Sequence, residues 1–180
     1  MNKIDNAELL SFLKSICPNA QGTFIDPNEV IFEENVKMNC FYCGNYGKNW
    51  KCPPLSIHID FPKMFSEFNI GLLVCLVYSI DKKEERVFIR NESSRVIHRT
   101  LLELERYMLN HNHSNVLSFI GGSCKLCKDG CGKERCSNPY MARSPLEAIG
   151  INVVKTARKY GIELSFPVDK ILKRIGLLLW

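Results

Sequence analysis

Two periods of apolar residues, about 3.6 and about 2, succeed one another along this chain and predict its elements. Leu9, Leu10, Phe12, Leu13 and Ile16 line one side of a helix over residues 5–16, with Asp5 or Asn6 as its cap and Cys17-Pro18 at its end. Thr23-Phe24-Ile25 and Val30-Ile31-Phe32 read as short strands on either side of the turn residues Asp26-Pro27-Asn28. Asp60-Phe61-Pro62 has the form of a cap and first turn, and opens a short helix to about Phe68. Residues 71–80 form a continuous apolar run, the pattern of a strand buried on both faces, and Cys75 in its middle is a core residue.

Asp81-Lys82-Lys83-Glu84-Glu85 is a charged turn, after which Ser93 or Ser94 caps a long helix to about Asn110 with Val96, Ile97, Leu101, Leu104, Tyr107 and Met108 at helical spacing. Residues 116–120 are the next strand. Strand, helix and strand in this order predict a right-handed crossover, which places Gly121-Gly122 at the carboxyl end of a strand, where open sheets hold ligands. Ser144-Pro145-Leu146-Glu147 reads as a capping box with proline at the first helical position, and a helix from Asn152 to Tyr160 ends at Gly161. Strands over residues 162–166 and 175–180 complete the core. The expected class is α+β with an α/β-like core: a mixed sheet of about four to five strands flanked by helices, carrying two cysteine-rich metal loops.

Those loops contain the candidate chemistry. Cys124, Cys127, Cys131 and Cys136 stand at C-x2-C-x3-C-x4-C spacing just after Gly121-Gly122, and Cys40, Cys43 and Cys52 form a C-x2-C-x8-C group followed at once by Pro53-Pro54. A C-x2-C pair in a tight turn aims two sulfurs at one point, and glycines such as Gly44, Gly130 and Gly132 let backbone N–H groups turn toward them. Structural zinc sites usually combine two such pairs across a longer finger. The compact run is closer to the ferredoxin-like C-x2-C-x2-C-x3-C-P pattern, from which it departs by one extra residue in two gaps and by the position of Pro139.

Seven of the nine cysteines are thereby assigned to metal, and an odd total argues against a secreted disulfide framework. Two complete four-cysteine sites need eight thiols, so three arrangements stay open. The division follows the loops; or Cys136 joins Cys40, Cys43 and Cys52 and leaves Cys124, Cys127 and Cys131 as a three-thiolate site; or one cluster uses four thiols and spares three. A three-thiolate site would keep an exchangeable position for water, a small molecule or a histidine such as His58. The other histidines, His98 in the long helix and His111 and His113 beyond its end, suit structural roles. Cys17, at a helix end, is either buried or a stray ligand.

Charge and composition narrow the function. Lys48, Lys51, Lys125, Lys128, Lys133 and Arg135 crowd both loops, as counter-charges of a thiolate-bound metal would. Phe41, Tyr42, Tyr46 and Trp50 either shield a cluster from water or pack on the body of the fold. With 180 residues, 46% of them apolar, the chain can bury one core and is most simply a single domain. The net charge of +5 is spread along it, which does not favour a nucleic-acid surface. Met1-Asn2-Lys3-Ile4-Asp5 carries charges where a secretory leader would be apolar, and no run reaches the length of a membrane span, so the expected compartment is the cytoplasm, where thiols stay reduced. There is no phosphate-binding glycine loop with lysine, no G-x-S-x-G elbow and no H-E-x-x-H helix, and no catalytic residue stands out.

Several stretches together resemble the bacterial and archaeal family of predicted metal-binding proteins catalogued as domain of unknown function 2284. They are the segment Tyr46-Gly47-Lys48-Asn49-Trp50-Lys51-Cys52-Pro53-Pro54, His98 and Glu105, the run Gly121-Gly122-Ser123-Cys124-Lys125-Leu126-Cys127, and Cys136-Ser137-Asn138-Pro139 through Arg143-Ser144-Pro145-Leu146-Glu147 to Ile151. The resemblance implies a metal binder, iron–sulfur or other, without an assigned reaction. With the spacing, the expectation is one or two iron–sulfur clusters, 4Fe-4S before other types, in an electron-transfer or redox-accessory role with a redox partner protein. The alternatives are a zinc-bound structural or interaction module, and an enzyme using a cluster with an open coordination position.

Overall fold

The structure, a computed structural model, describes residues 5–180; the expectation drawn from Met1-Asn2-Lys3-Ile4-Asp5 falls mostly on residues 1–4, outside the described residues. In chain order the elements are α1 (Asn6–Ile16), β1 (Ala20–Ile25), α2 (Glu34–Tyr42), α3 (Phe61–Phe65), β2 (Gly71–Ser79), α4 (Arg86–Asn110), β3 (Leu117–Phe119), α5 (Val153–Lys159) and β4 (Ile171–Leu179). The strands form one four-stranded sheet in the order β1-β2-β4-β3, an α+β fold.

Side-chain alternation along the central strands divides the core in two. Leu72, Val74 and Leu76 of β2 and Leu178 of β4 face α1 and α4, where they meet Leu9, Leu13, Ile97, Leu101, Leu104 and Met108. Leu73 and Cys75 of β2 and Ile175, Leu177 and Leu179 of β4 face the opposite way, onto Phe65, Phe68, Phe119, Leu146 and Ile149. A strand covered on both sides has no polar alternation, which is why residues 71–80 read as unbroken apolar sequence. Cys75 is 1% exposed, in the second cluster, as expected. Cys17 is also buried, capping the end of α1 within the first cluster.

Every pairing in the sheet is antiparallel, where a mixed sheet was expected. The crossover from β2 through α4 to β3 does leave those two strands parallel to each other. The carboxyl-terminal β4 then inserts between them, antiparallel to both, and removes any direct parallel pair.

Several expected elements differ, each for a local reason. Ser93 and Ser94 do not cap α4, which begins at Arg86 behind the acidic pair Glu84 and Glu85; both hydroxyls donate to the Arg90 carbonyl at 3.1 Å inside the helix. Ser144 is not an N-cap either. Its carbonyl accepts from Ile120 N–H at 3.0 Å and Leu146 N–H donates to Ile120, so this segment runs beside the end of β3, and only a short 3-10 turn, Glu147–Ile149, follows. Residues 30–32 contribute one bridge, Phe32 to Ile151, in place of a strand. Residues 162–166 form no strand, and β4 starts four residues earlier than expected, at Ile171. Helix α3 ends at Phe65, short of the expected Phe68, while the caps follow their signals: Asp5, Asp60 and Asn152 cap α1, α3 and α5, and Gly161 at φ +76° closes α5.

Gly121 leaves β3 against the backbone of β4, where a β-carbon would lie 2.2 Å from the Ile175 carbonyl oxygen. Gly121→Ala is therefore expected to lower stability by about 1–3 kcal/mol in urea unfolding, since backbone must shift to make room. Gly44→Ala, at a position with no atom within 4 Å, should stay within about 0.5 kcal/mol of the parent.

Candidate metal centre

The first cysteine group is held at a helix end. Helix α2 buries none of its residues; Cys40 lies in its last turn, packed on the Glu147 carbonyl at 3.7 Å, and Cys43 is its C-cap. The chain then folds through successive turns in which Tyr46 N–H donates to Cys43, Lys48 N–H to Asn45 and Cys52 N–H to Asn49, which carries Cys52 inward to 8% exposure. The second group leaves β3 at Gly121-Gly122, and Cys124 packs on the edge of the α1–α4 core.

Two side chains join the loops. Asn49, 7% exposed, donates from Nδ2 to the Cys124 carbonyl at 3.1 Å while its Oδ1 accepts from Lys51 N–H at 3.0 Å. Trp50 Nε1 donates to the Gly132 carbonyl at 2.7 Å. Two neutral hydrogen bonds between segments more than seventy residues apart (Asn49 to Cys124, separation 75) bring the thiols into one neighbourhood. Burial first, then the thiols of Cys40, Cys43, Cys124 and Cys131, push the Cys52 thiol up to about 12. Cys124 is raised in the same way, by burial and then by Cys131, Cys127 and Cys136. Cys40 is raised by burial, by the Glu147 carboxylate and by Cys43. Cys52 and Cys124 are thus the inner members of the group.

Donors to sulfur are also in place: Asn138 Nδ2 lies 3.1 Å from Cys127 Sγ and Asn45 Nδ2 lies 3.5 Å from Cys43 Sγ. An open hollow of about 730 Å³ lies under residues 132–140, with Cys136 on its wall between Lys133, Glu134 and Arg135. All nine cysteines are free thiols. Among the described residues no three His, Cys, Asp or Glu side chains already stand at metal-ligating geometry, so the thiols are gathered without being closed into a coordination shell.

The donor set suits a soft metal or an iron–sulfur cluster: seven thiols, two inner ones whose ionisation is opposed by their neighbours, and amide N–H groups directed at sulfur. A bound cation is what would make those thiolates favourable.

The segment that follows the last cysteine is clamped by α4. His98 Nε2 meets the Met141 carbonyl at 2.9 Å, with burial holding the imidazole below its usual pKa. Glu105, 7% exposed, pairs with Arg143 through Nε at 2.7 Å and also through Nη2, and accepts from Ser118 on β3. Removing one member of such a part-buried ion pair leaves the other uncompensated, a loss of about 3–5 kcal/mol. His98, Glu105 and Arg143 therefore fix where the 124–136 run returns to the body of the fold.

A family model described as "Predicted metal-binding protein", domain of unknown function 2284, matches residues 23–180. The chain belongs to this family. No curated protein and no solved structure matches it significantly. Among the described residues, no helix is long and apolar enough to cross a membrane.

The stretches of this chain that resemble the family thus contain both thiols and the groups that hold their neighbouring segments. Of the aromatics in the first loop only Trp50 turns inward; Phe41, Tyr42 and Tyr46 are exposed and meet edge to face, Phe41 at 5.4 Å from Tyr42 and 5.1 Å from Tyr46. His58 stands exposed in the segment after the prolines. His111 stacks on Tyr107 at 4.2 Å, a structural role. The long-range partners Asn49, Asn138 and Glu147 were not legible as site residues, although each lies inside a stretch that carries the family resemblance.

Asn49→Ala is expected to cost about 1–2 kcal/mol, because the Cys124 carbonyl and the Lys51 N–H both lose a buried partner, and to speed amide exchange over residues 48–52 and 124–132. Unchanged exchange in the second segment would disprove the joint. Cys75→Ala should cost roughly 1–2 kcal/mol of stability and leave metal content per chain unchanged, while Cys52→Ser and Cys124→Ser should lower metal content sharply, as read by elemental analysis.

Proposed function

We propose that the protein binds an iron–sulfur cluster, 4Fe-4S before other types, through thiols drawn from both cysteine groups, and serves electron transfer or a redox-accessory role with a partner protein. The observation that carries this reading is the joining of the two cysteine loops by the Asn49 and Trp50 hydrogen bonds, which leaves Cys52 within electrostatic range of Cys124 and Cys131. Cys40, Cys43, Cys52, Cys124, Cys127, Cys131 and Cys136 are the residues that would hold it. When bound, a cluster supplies one-electron redox chemistry at a potential set by burial and by hydrogen bonds to sulfur. Asn138 and Asn45 are placed to provide such bonds to Cys127 and Cys43. The clamp of His98, Glu105 and Arg143 would keep the cluster-bearing run from moving when charge changes.

The basic side chains of the loops support the reading less than their number suggests. Burial and other thiols raise Cys52, and no lysine or arginine is among the groups acting on it. Lys128, Lys133 and Arg135 are exposed and act as solvated charges around the loop.

Protein purified without oxygen is expected to be brown, with broad sulfur-to-iron absorption and acid-labile sulfide in proportion to iron. A colourless, sulfide-free protein with tightly held zinc would replace this reading by the zinc-bound structural module. Should a cluster form, a change in its electron paramagnetic resonance on adding cyanide would identify an open iron position and favour an enzyme.

A further inference from the structure

The apolar side chains that the fold leaves in solvent are concentrated at the first cysteine group. Of fifteen exposed large hydrophobics among the described residues, seven lie between residues 38 and 59, among them Met38, Phe41, Tyr42 and Tyr46. Phe41 meets Tyr42 and Tyr46 edge to face at 5.4 and 5.1 Å, which makes the three rings one continuous patch. At about 200 Å² a ring, their exposed parts amount to about 350 Å², a size of patch that on a monomer often marks a binding surface. Cys43 stands within it, directly after Tyr42 and with its carbonyl accepting from Tyr46 N–H at 3.0 Å. Of the seven thiols in the two loops, Cys43 alone is exposed. A partner seated on the rings therefore lies against the most accessible member of the thiol group.

Charge narrows the partner. Basic residues occur along the whole chain, but their excess over acidic ones does not. Residues 34–59 hold Lys37, Lys48 and Lys51 against Glu34, and residues 121–140 hold Lys125, Lys128, Lys133 and Arg135 against Asp129 and Glu134. The two joined segments thus carry four of the chain's net five positive charges. Lys37 is paired with Glu34 at 2.8 Å, while among the described residues none of the other six bases is in an ion pair. Lys48 and Lys51 flank the Asn49 and Trp50 joint, and Lys133 follows the Gly132 that Trp50 reaches, so bases of both segments come together there. A four-thiolate 4Fe-4S centre would offset about two of these charges and leave the face positive.

An apolar centre beside unpaired lysines is complementary to an acidic protein surface. A second copy of this chain would set like charges against each other, and the patch falls short of the roughly 2,000 Å² or more that obligate dimers bury, whereas weak redox encounters bury less than about 1,200 Å². A nucleic-acid backbone would also meet the lysines, but would make no use of a thiol at the centre of the patch.

We propose that Phe41, Tyr42 and Tyr46, with Lys48 and Lys51 beside them, form the docking surface for an acidic electron-carrier protein whose redox group lies at its own surface. The proposal rests on the cluster reading and deepens it, placing the partner on the Cys43 side of the thiol group.

The test uses the full chain purified without oxygen, titrated calorimetrically at low ionic strength with an acidic plant-type 2Fe-2S ferredoxin and, separately, with a basic c-type cytochrome and a single-stranded RNA oligomer, with iron, sulfide and zinc measured on each preparation. One saturable equivalent of ferredoxin per chain is expected, weakened about tenfold or more between about 0.02 and 0.2 M salt. Phe41→Ser and Lys48→Glu, both at exposed positions, should each weaken it about tenfold, and Tyr42→Ser carries the comparison if Phe41→Ser does not fold. Arg106→Gln, whose arginine is paired with Glu103 at 3.0 Å on α4, should leave it unchanged. Absence of saturable ferredoxin binding, equal binding by the folded variants, or equal binding of the cytochrome overturns the surface. Tighter binding of the RNA, or a dimer in sedimentation that Phe41→Ser dissolves, overturns it in favour of that other occupant. A brown protein that does not bind ferredoxin counts against the docking surface alone, and a colourless zinc protein that binds it through Phe41 and Lys48 counts against the cluster alone.

Discussion

Burying several thiols together opposes the ionisation of each, and the architecture of this protein is arranged around that constraint. Cys52 is the plainest case, pushed up to about 12 by burial and by four neighbouring thiols. A metal-free chain at neutral pH therefore keeps its inner thiols protonated, and a cation that binds them must displace protons. What the fold provides is proximity and donors to sulfur, with the charge left for the bound group to supply. Neutral N–H donors do this work: the Asn49 amide and the Trp50 indole join the loops through carbonyls, and the Asn138 and Asn45 amides face sulfur directly.

Proximity of this kind needs a frame, because two hydrogen bonds are worth only about 1–3 kcal/mol together. The frame is the layer of α1 and α4 on the sheet. Cys124 packs against its edge, the 121–122 turn lies flush with β4, and the exit of the run is tied to α4 by His98 and by Glu105 with Arg143. The first group is held less firmly. Helix α2 buries no residue and leaves Phe41 and Tyr42 in solvent, so its position depends on contacts around Glu147 and on the Asn49 joint.

Much of this frame was legible in the sequence where burial wrote a period. Helix α1, strand β2, helix α5 and the crossover that delivers Gly121-Gly122 to a strand end all follow from apolar spacing and caps. Helix α2 was not legible, since a helix that buries nothing has no apolar stripe to read. The serines of α4 and the Ser-Pro-Leu-Glu segment were misread because a side chain fit for capping satisfies itself equally well on a helix carbonyl, and because Ser144 serves β3 through its backbone. The insertion of β4 between β2 and β3 is a nonlocal event, and no local pattern distinguishes it from a strand at the sheet edge. At the candidate site, cysteine spacing singled out the seven thiols of the two loops, and the structure joins those loops through Asn49 and Trp50. Asn49 and Glu147 stayed hidden because their roles exist only across separations of 75 and 107 residues.

The way the thiols meet also bears on how seven of them can serve metal. If each loop kept its own site, the boundary between the sites would pass between Cys52 and Cys124, near enough for the Cys124 thiol to oppose the ionisation of Cys52. Placing two anionic centres across that boundary would add repulsion to burial, with no lysine or arginine acting on Cys52 to relieve it. A shared site removes the problem, since Cys52 and Cys124 then contribute to one centre and the more exposed thiols, Cys43 among them, become the spare or exchangeable members. The same argument applies if Cys136 is lent to the first group, because the inner pair is still divided. Electrostatics thus favours ligand sets that cross between the loops, with Cys52 and Cys124 on the same metal or cluster.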